Sequence, residues 1–84
     1  MKTAEVQPGD VIQTGFGINR EPVVVIVHDV HRYDTGALSI RARFASNPRG
    51  VDWSMFIPVE EPMLDLVARG VARIDSHVRS LIPG

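Results

Sequence analysis

The run Pro22-Val23-Val24-Val25-Ile26-Val27, continuing into Asp29, His31, Arg32 and Asp34, constrains this chain more than any other stretch. Consecutive β-branched residues favour a strand, and apolar side chains on both of its faces need cover on both. The second half alternates with polar residues and reads as the same strand emerging into solvent.

The flanking segments supply its neighbours. Val6-Gln7-Pro8-Gly9-Asp10 reads as a turn leading into a first strand, about residues 10–16. The turn formers Gly17-Ile18-Asn19-Arg20-Glu21 precede the long second strand, residues 22–33. Asp34-Thr35-Gly36 suits a three-residue hairpin with glycine in the left-handed position. A third strand, 37–45, alternates Leu38, Ile40, Ala42 and Phe44 against Ser39, Arg41 and Arg43. After Ser46-Asn47-Pro48-Arg49-Gly50, a fourth strand at 51–58 puts Val51, Trp53, Met55 and Ile57 on one face. The pattern is an antiparallel meander.

Side-chain matching also predicts the register. Turning at Gly36 pairs Val30 with Ile40 and Asp29 with Arg41. Pairing Ala42 with Trp53 sets Ile40 against Met55, Phe44 against Val51 and Arg43 against Asp52. Both hairpins then have an apolar inner face and opposite charges outside, which a one-residue slip destroys.

The last segment reads as a helix over 61–81. Glu60 and Glu61 precede Pro62, and Arg69, Arg73, His77 and Arg79 come later, matching the helix dipole. Met63, Val67, Val71, Ile74, Val78 and Leu81 recur at spacings of four and three, giving one narrow apolar stripe. Asp65 with Arg69 and Asp75 with Arg79 add surface pairs. The apolar phase continues through Gly70, so the expectation is an unbroken helix there.

At 84 residues the chain holds one domain with a small core, and association is the natural supplement to its stability. It has no cysteine, so disulfides and thiolate metal sites are excluded. A net charge of −1 gives no global attraction for nucleic acid or anionic membranes. There is no charged N-terminal segment followed by an apolar core and no bilayer-length apolar run, so a cytoplasmic protein is expected.

Candidate chemistry is sparse. In a regular strand His28 and His31 point to opposite faces, which argues against a metal pair. Asp29, His31 and Tyr33 share a face, so an acid–base or metal site near His31 competes with a solvated sheet face. His77 has no evident catalytic companion. Gly15-Phe16-Gly17 lacks the following helix that a phosphate cradle needs, and a bulge or loop is the plainer reading. Phe16 could anchor a partner. Trp53 is expected in the core by its alternation. Phe56 falls on the outer face, where with Val23, Val25 and Val27 it predicts an apolar patch that something must cover. Arg32, Arg41, Arg43 and Arg49 could form a nucleic-acid-binding strip, but Asp29 and Asp52 are positioned to offset two of them.

The stretch Val6-Gln7-Pro8-Gly9-Asp10-Val11-Ile12 resembles the first strand of Src-homology-3-like small barrels, including KOW-type modules. That resemblance implies a barrel binding peptides or nucleic acid. The basic residues and later glycines of a KOW motif are not evident, and of peptide-binding aromatics and acids only Phe16, Glu21 and Tyr33 could stand in. The short Val- and Arg-rich chain also looks like small phage accessory proteins. The expected fold is therefore mainly β (α+β): a four- to five-stranded antiparallel meander forming a small, partly open barrel, with a C-terminal helix. The expected function is a non-catalytic protein-interaction or regulatory module with no cofactor or metal, using Phe16, Val23, Val25, Val27 and Phe56. A homodimer is its simplest form. The alternatives are a nucleic-acid-binding barrel using Arg41 and Arg43, and an enzyme with a site near His31.

Overall fold

A computed structural model of the chain describes residues 1–70. After a short 3₁₀ turn at Thr3–Glu5 come five strands: β1 (Val11–Phe16), β2 (Glu21–Arg32), β3 (Leu38–Phe44), β4 (Trp53–Ile57) and β5 (Asp65–Ala68). They form one open antiparallel sheet in the order β4-β3-β2-β1-β5. The chain is thus a four-stranded meander whose fifth strand returns to pair with the first. Among the described residues no helix is long and apolar enough to cross a membrane.

The expected register holds at both hairpins. Val30 pairs with Ile40, Asp29 with Arg41, Ile40 with Met55 and Ala42 with Trp53. Gly36 adopts a φ of 93°, and the amide of Tyr33 donates to the carbonyl of Ala37 across the three-residue loop. Phe44 and Val51 do not pair, because β4 begins only at Trp53 and Val51 stays exposed.

The second strand departs from simple alternation. Its register with β3 shifts between Val27 and Asp29, which is a β-bulge at His28. The extra residue resets the phase. Val25 and Val27, paired with Phe44 and Ala42, and then Val30, paired with Ile40, all lie on the inner face. The Pro8-Gly9 turn docks beside this bulge. Gly9 has a φ of 92°, its amide donates to the Val27 carbonyl at 2.8 Å, and the Val27 amide donates to Asp10 at 2.8 Å. The turn read from Val6 to Asp10 is therefore present. Its position on β2 was not legible.

This phase change corrects the expected outer patch. Val25 and Val27 are fully buried beside Ile12, Leu38, Ile40, Ala42 and Ile57, and Val23 packs partly buried against the same cluster. Val6 and Leu64 complete the core from the segments before β1 and before β5. On the inner face of β2, Val25 and Val27 are therefore covered by the cluster that these two segments complete.

The helix expected over 61–81 is not formed in its described part. Glu61 starts a turn closed by the Leu64 amide, Asp65–Ala68 is β5, and Gly70 has a φ of 75° that an unbroken helix forbids. Residues 71–81 of that expectation, His77 included, lie outside the described residues. Tertiary demand explains the outcome: β1 has an open edge, and Leu66 fills it opposite Ile12. Arg69, expected to pair with Asp65 along a helix, instead reaches Asp10 at 3.3 Å.

Two buried acids tie the covering segments down. Asp10 is 2% exposed and also accepts from the Gln7 amide at 3.0 Å, closing the turn. Glu61 accepts from the Arg20 guanidinium and from the Met63 amide. Gly15 makes this possible, since a Cβ there would lie 2.9 Å from the Met63 sulfur and 3.0 Å from Arg20 Nε. Its role is close approach, and neither the phosphate cradle nor the bulge applies at this position.

Two stability tests follow. Val27→Ala should cost about 2 kcal/mol by cavity formation, whereas Phe56→Ala should cost less than about 0.5 kcal/mol. Comparable losses in urea denaturation would refute the face assignment. Arg20→Ala strands a buried carboxylate and should cost about 2 kcal/mol. Adding Glu61→Gln to it should restore part of that loss; a further loss would contradict the pairing.

Candidate partner-binding surface

The sheet leaves two aromatic clusters in contact with solvent, one on each face. On the outer face His31 meets Tyr33 edge-on with ring centroids 4.9 Å apart, and Tyr33 meets Phe56 at 6.2 Å. Phe56 is 63% exposed because it sits on β4, an edge strand, opposite the small Ser39. On the inner face, at the other end of β4, Phe44 links Phe16 at 5.3 Å to Trp53 at 6.1 Å. Trp53 is 48% exposed, which corrects its expected place in the core. It does face inward, but it opens the edge strand where little lies over it.

These clusters share β4. Of the five residues expected to bind a partner, Phe56 and Phe16 are exposed on opposite faces, while Val25 and Val27 are core and Val23 is partly so. The structure therefore does not bring the five together. Sequence reasoning missed Trp53 as a surface aromatic, although its position at the start of the last meander strand could have shown it, whereas Tyr33 stands exposed beside His31 on the face where its phase put it.

The arginines do not form one strip. The Arg32 side chain donates to the carbonyls of Ala4 at 3.0 Å and Val6 at 2.8 Å, holding the N-terminal turn. Arg43 binds Asp52 at 2.7 Å and the Pro48 carbonyl at 3.0 Å. Arg49 is exposed in the loop before β4. Arg41 lies opposite Asp29 in register and makes no ion pair among the described residues. It projects beside Ser54 on the same face as Phe56, so one arginine and the outer aromatics are neighbours after all.

His28 and His31 have separate surroundings. The imidazole Nδ1 of His28 lies 3.7 Å from Asp52, whereas His31 packs on Tyr33. Among the described residues no group of three or more histidine and acidic side chains could hold a metal. A groove of about 680 Å³ lies at the hairpin end, lined by Met1–Ala4, Gly36 and Val59–Pro62. Its buried acid, Glu61, is already committed to Arg20. Thr3, also beside this groove, is committed too: its hydroxyl donates to the Pro58 carbonyl at 2.7 Å.

No family model, curated protein or solved structure matches the chain. The surface must be read from its own chemistry.

The hydrogen bond from Arg43 holds the Asp52 carboxyl below its ordinary value of 3.8, against an opposing effect of partial burial, with His28, Arg43 and Arg41 adding favourable charge. A depressed carboxylate contributes stability above its unfolded pKa and loses it as pH falls through the folded value. Asp52→Asn should therefore destabilise the protein by about 0.5–1 kcal/mol at pH 7. The difference from wild type should shrink as pH falls below the ordinary carboxylate value of 3.8 and vanish once Asp52 is protonated in the folded protein. A gap independent of pH in acid titration of stability would exclude this pairing.

Proposed function

We propose that the chain is a non-catalytic protein-interaction module of the small, partly open barrel kind, binding through the edge strand β4. The observation that carries this reading is the exposure of two large aromatics, Trp53 and Phe56, on the same five-residue edge strand. Large rings left in water at a sheet edge are characteristic anchors, because each can bury much apolar area at little conformational cost. Phe16 extends the inner cluster and Tyr33 the outer one. The return of β5 to β1 supports the barrel-like reading of the fold, in keeping with the resemblance at Val6–Ile12.

A nucleic-acid-binding surface is the second reading, favoured by Arg41, which makes no ion pair among the described residues and shares a face with Phe56, Tyr33 and His31. Stacking on such rings beside a cation is how single strands are held without sequence preference. Asp29, directly opposite Arg41, weakens the local field for phosphate.

Affinity capture from host lysate after nuclease treatment separates the two. The interaction reading expects a protein retained by the wild type and lost with both Trp53→Ala and Phe56→Glu. Retention that vanishes on nuclease treatment, together with salt-sensitive retardation of oligonucleotides abolished by Arg41→Ala, would replace it with the second reading.

A further inference from the structure

Resting on the interaction reading, the geometry points to a specific occupant for the β4 edge: we infer that it pairs antiparallel with β4 of a second copy about a two-fold axis at Met55. The two edges of the sheet differ in a way that singles out β4. β5 is four residues long, carries the exposed Asp65 and has an irregular register against β1, all devices that discourage further pairing. β4, Trp53-Ser54-Met55-Phe56-Ile57, has no charge, no proline and no bulge, and among the described residues it pairs only with β3. An undefended edge of this kind is a template for another strand.

The sequence around β4 is self-complementary. A two-fold axis perpendicular to the sheet keeps each face on its own side, so a residue pairs with one of the same parity. Centring it on Met55 sets Trp53 against Ile57, Ser54 against Phe56 and Val51 against Val59 of the second copy. Val51 and Val59 are 72% and 51% exposed in the single chain, and this register places each beside an apolar neighbour. Large Phe56 meets small Ser54 on the outer face, and Asp52 meets Pro58, so no like charges oppose one another. Moving the axis to Ser54 would instead press Asp52 against Phe56, and the pattern favours Met55.

The cysteine-free chain permits a direct test. Ser54→Cys and Phe56→Cys alter exposed positions only. Directly opposed residues in an antiparallel pair have Cα atoms about 4.5–5.5 Å apart, within disulfide reach. The two variants, distinguished by isotopic mass and mixed in equal amounts under mild oxidation, should give mainly the mixed 54–56 disulfide. A statistical distribution, with about half the disulfides mixed, overturns the register.

Phe56→Lys should raise the dimer dissociation constant about tenfold or more in sedimentation equilibrium, with the melting temperature of the monomer unchanged. An unaltered dimer in that variant overturns β4 as the contact. A strict monomer of the wild type at high micromolar concentration overturns self-pairing altogether. Capture of a different protein through Trp53 and Phe56 would then still stand, so the two proposals fail separately.

Discussion

The rest of the structure depends on the β-bulge at His28. β2 is a 12-residue strand, and a regular strand of that length would change the face of its valines relative to Val30 and Ile40. One inserted residue removes the conflict. It lets Val25, Val27 and Val30 share the inner face, and the Gly9–Asp10 turn locks it through paired backbone bonds to Val27. The core, the position of the N-terminal segment and the identity of the exposed side chains all follow from that local shift.

With Val25 and Val27 withdrawn into the core, the two most solvent-exposed aromatic rings, Phe56 and Trp53, both lie on β4, which among the described residues pairs only with β3. The covering segments are fastened by buried acids, Asp10 to Arg69 and Glu61 to Arg20, while the sheet's outer charges are satisfied mainly by Arg43 and Asp52. A chain this small has few residues to spare, so most polar side chains that look available for chemistry are holding the fold. The exposed rings of β4 are not. That contrast, more than any motif, directs attention to recognition.

Much of the meander was legible in the residues. The three-residue turn at Gly36, the alternation in β3 and the charge pairing of Arg43 with Asp52 each limit register locally, so strands and pairings could be read. The bulge could not, because a single unpaired residue leaves the composition of β2 unchanged and only inverts the meaning of its alternation. Val25 and Val27 were misplaced for that reason. The segment after Pro62 misled for another: a spacing of three and four suits a helix, but the vacant edge of β1 captured Leu66. Exposure of Trp53 was hidden because alternation specifies a face and says nothing of whether another element covers it.

The most direct test of the account is the solvent accessibility of individual valine methyls, read by relaxation from a soluble paramagnetic probe. The bulge-centred arrangement requires Val25 and Val27 to be strongly protected while Val67, exposed on β5, is strongly relaxed. Relaxation of Val25 and Val27 at the level of Val67 would mean that the strand keeps its simple alternation, and the core described here would be wrong.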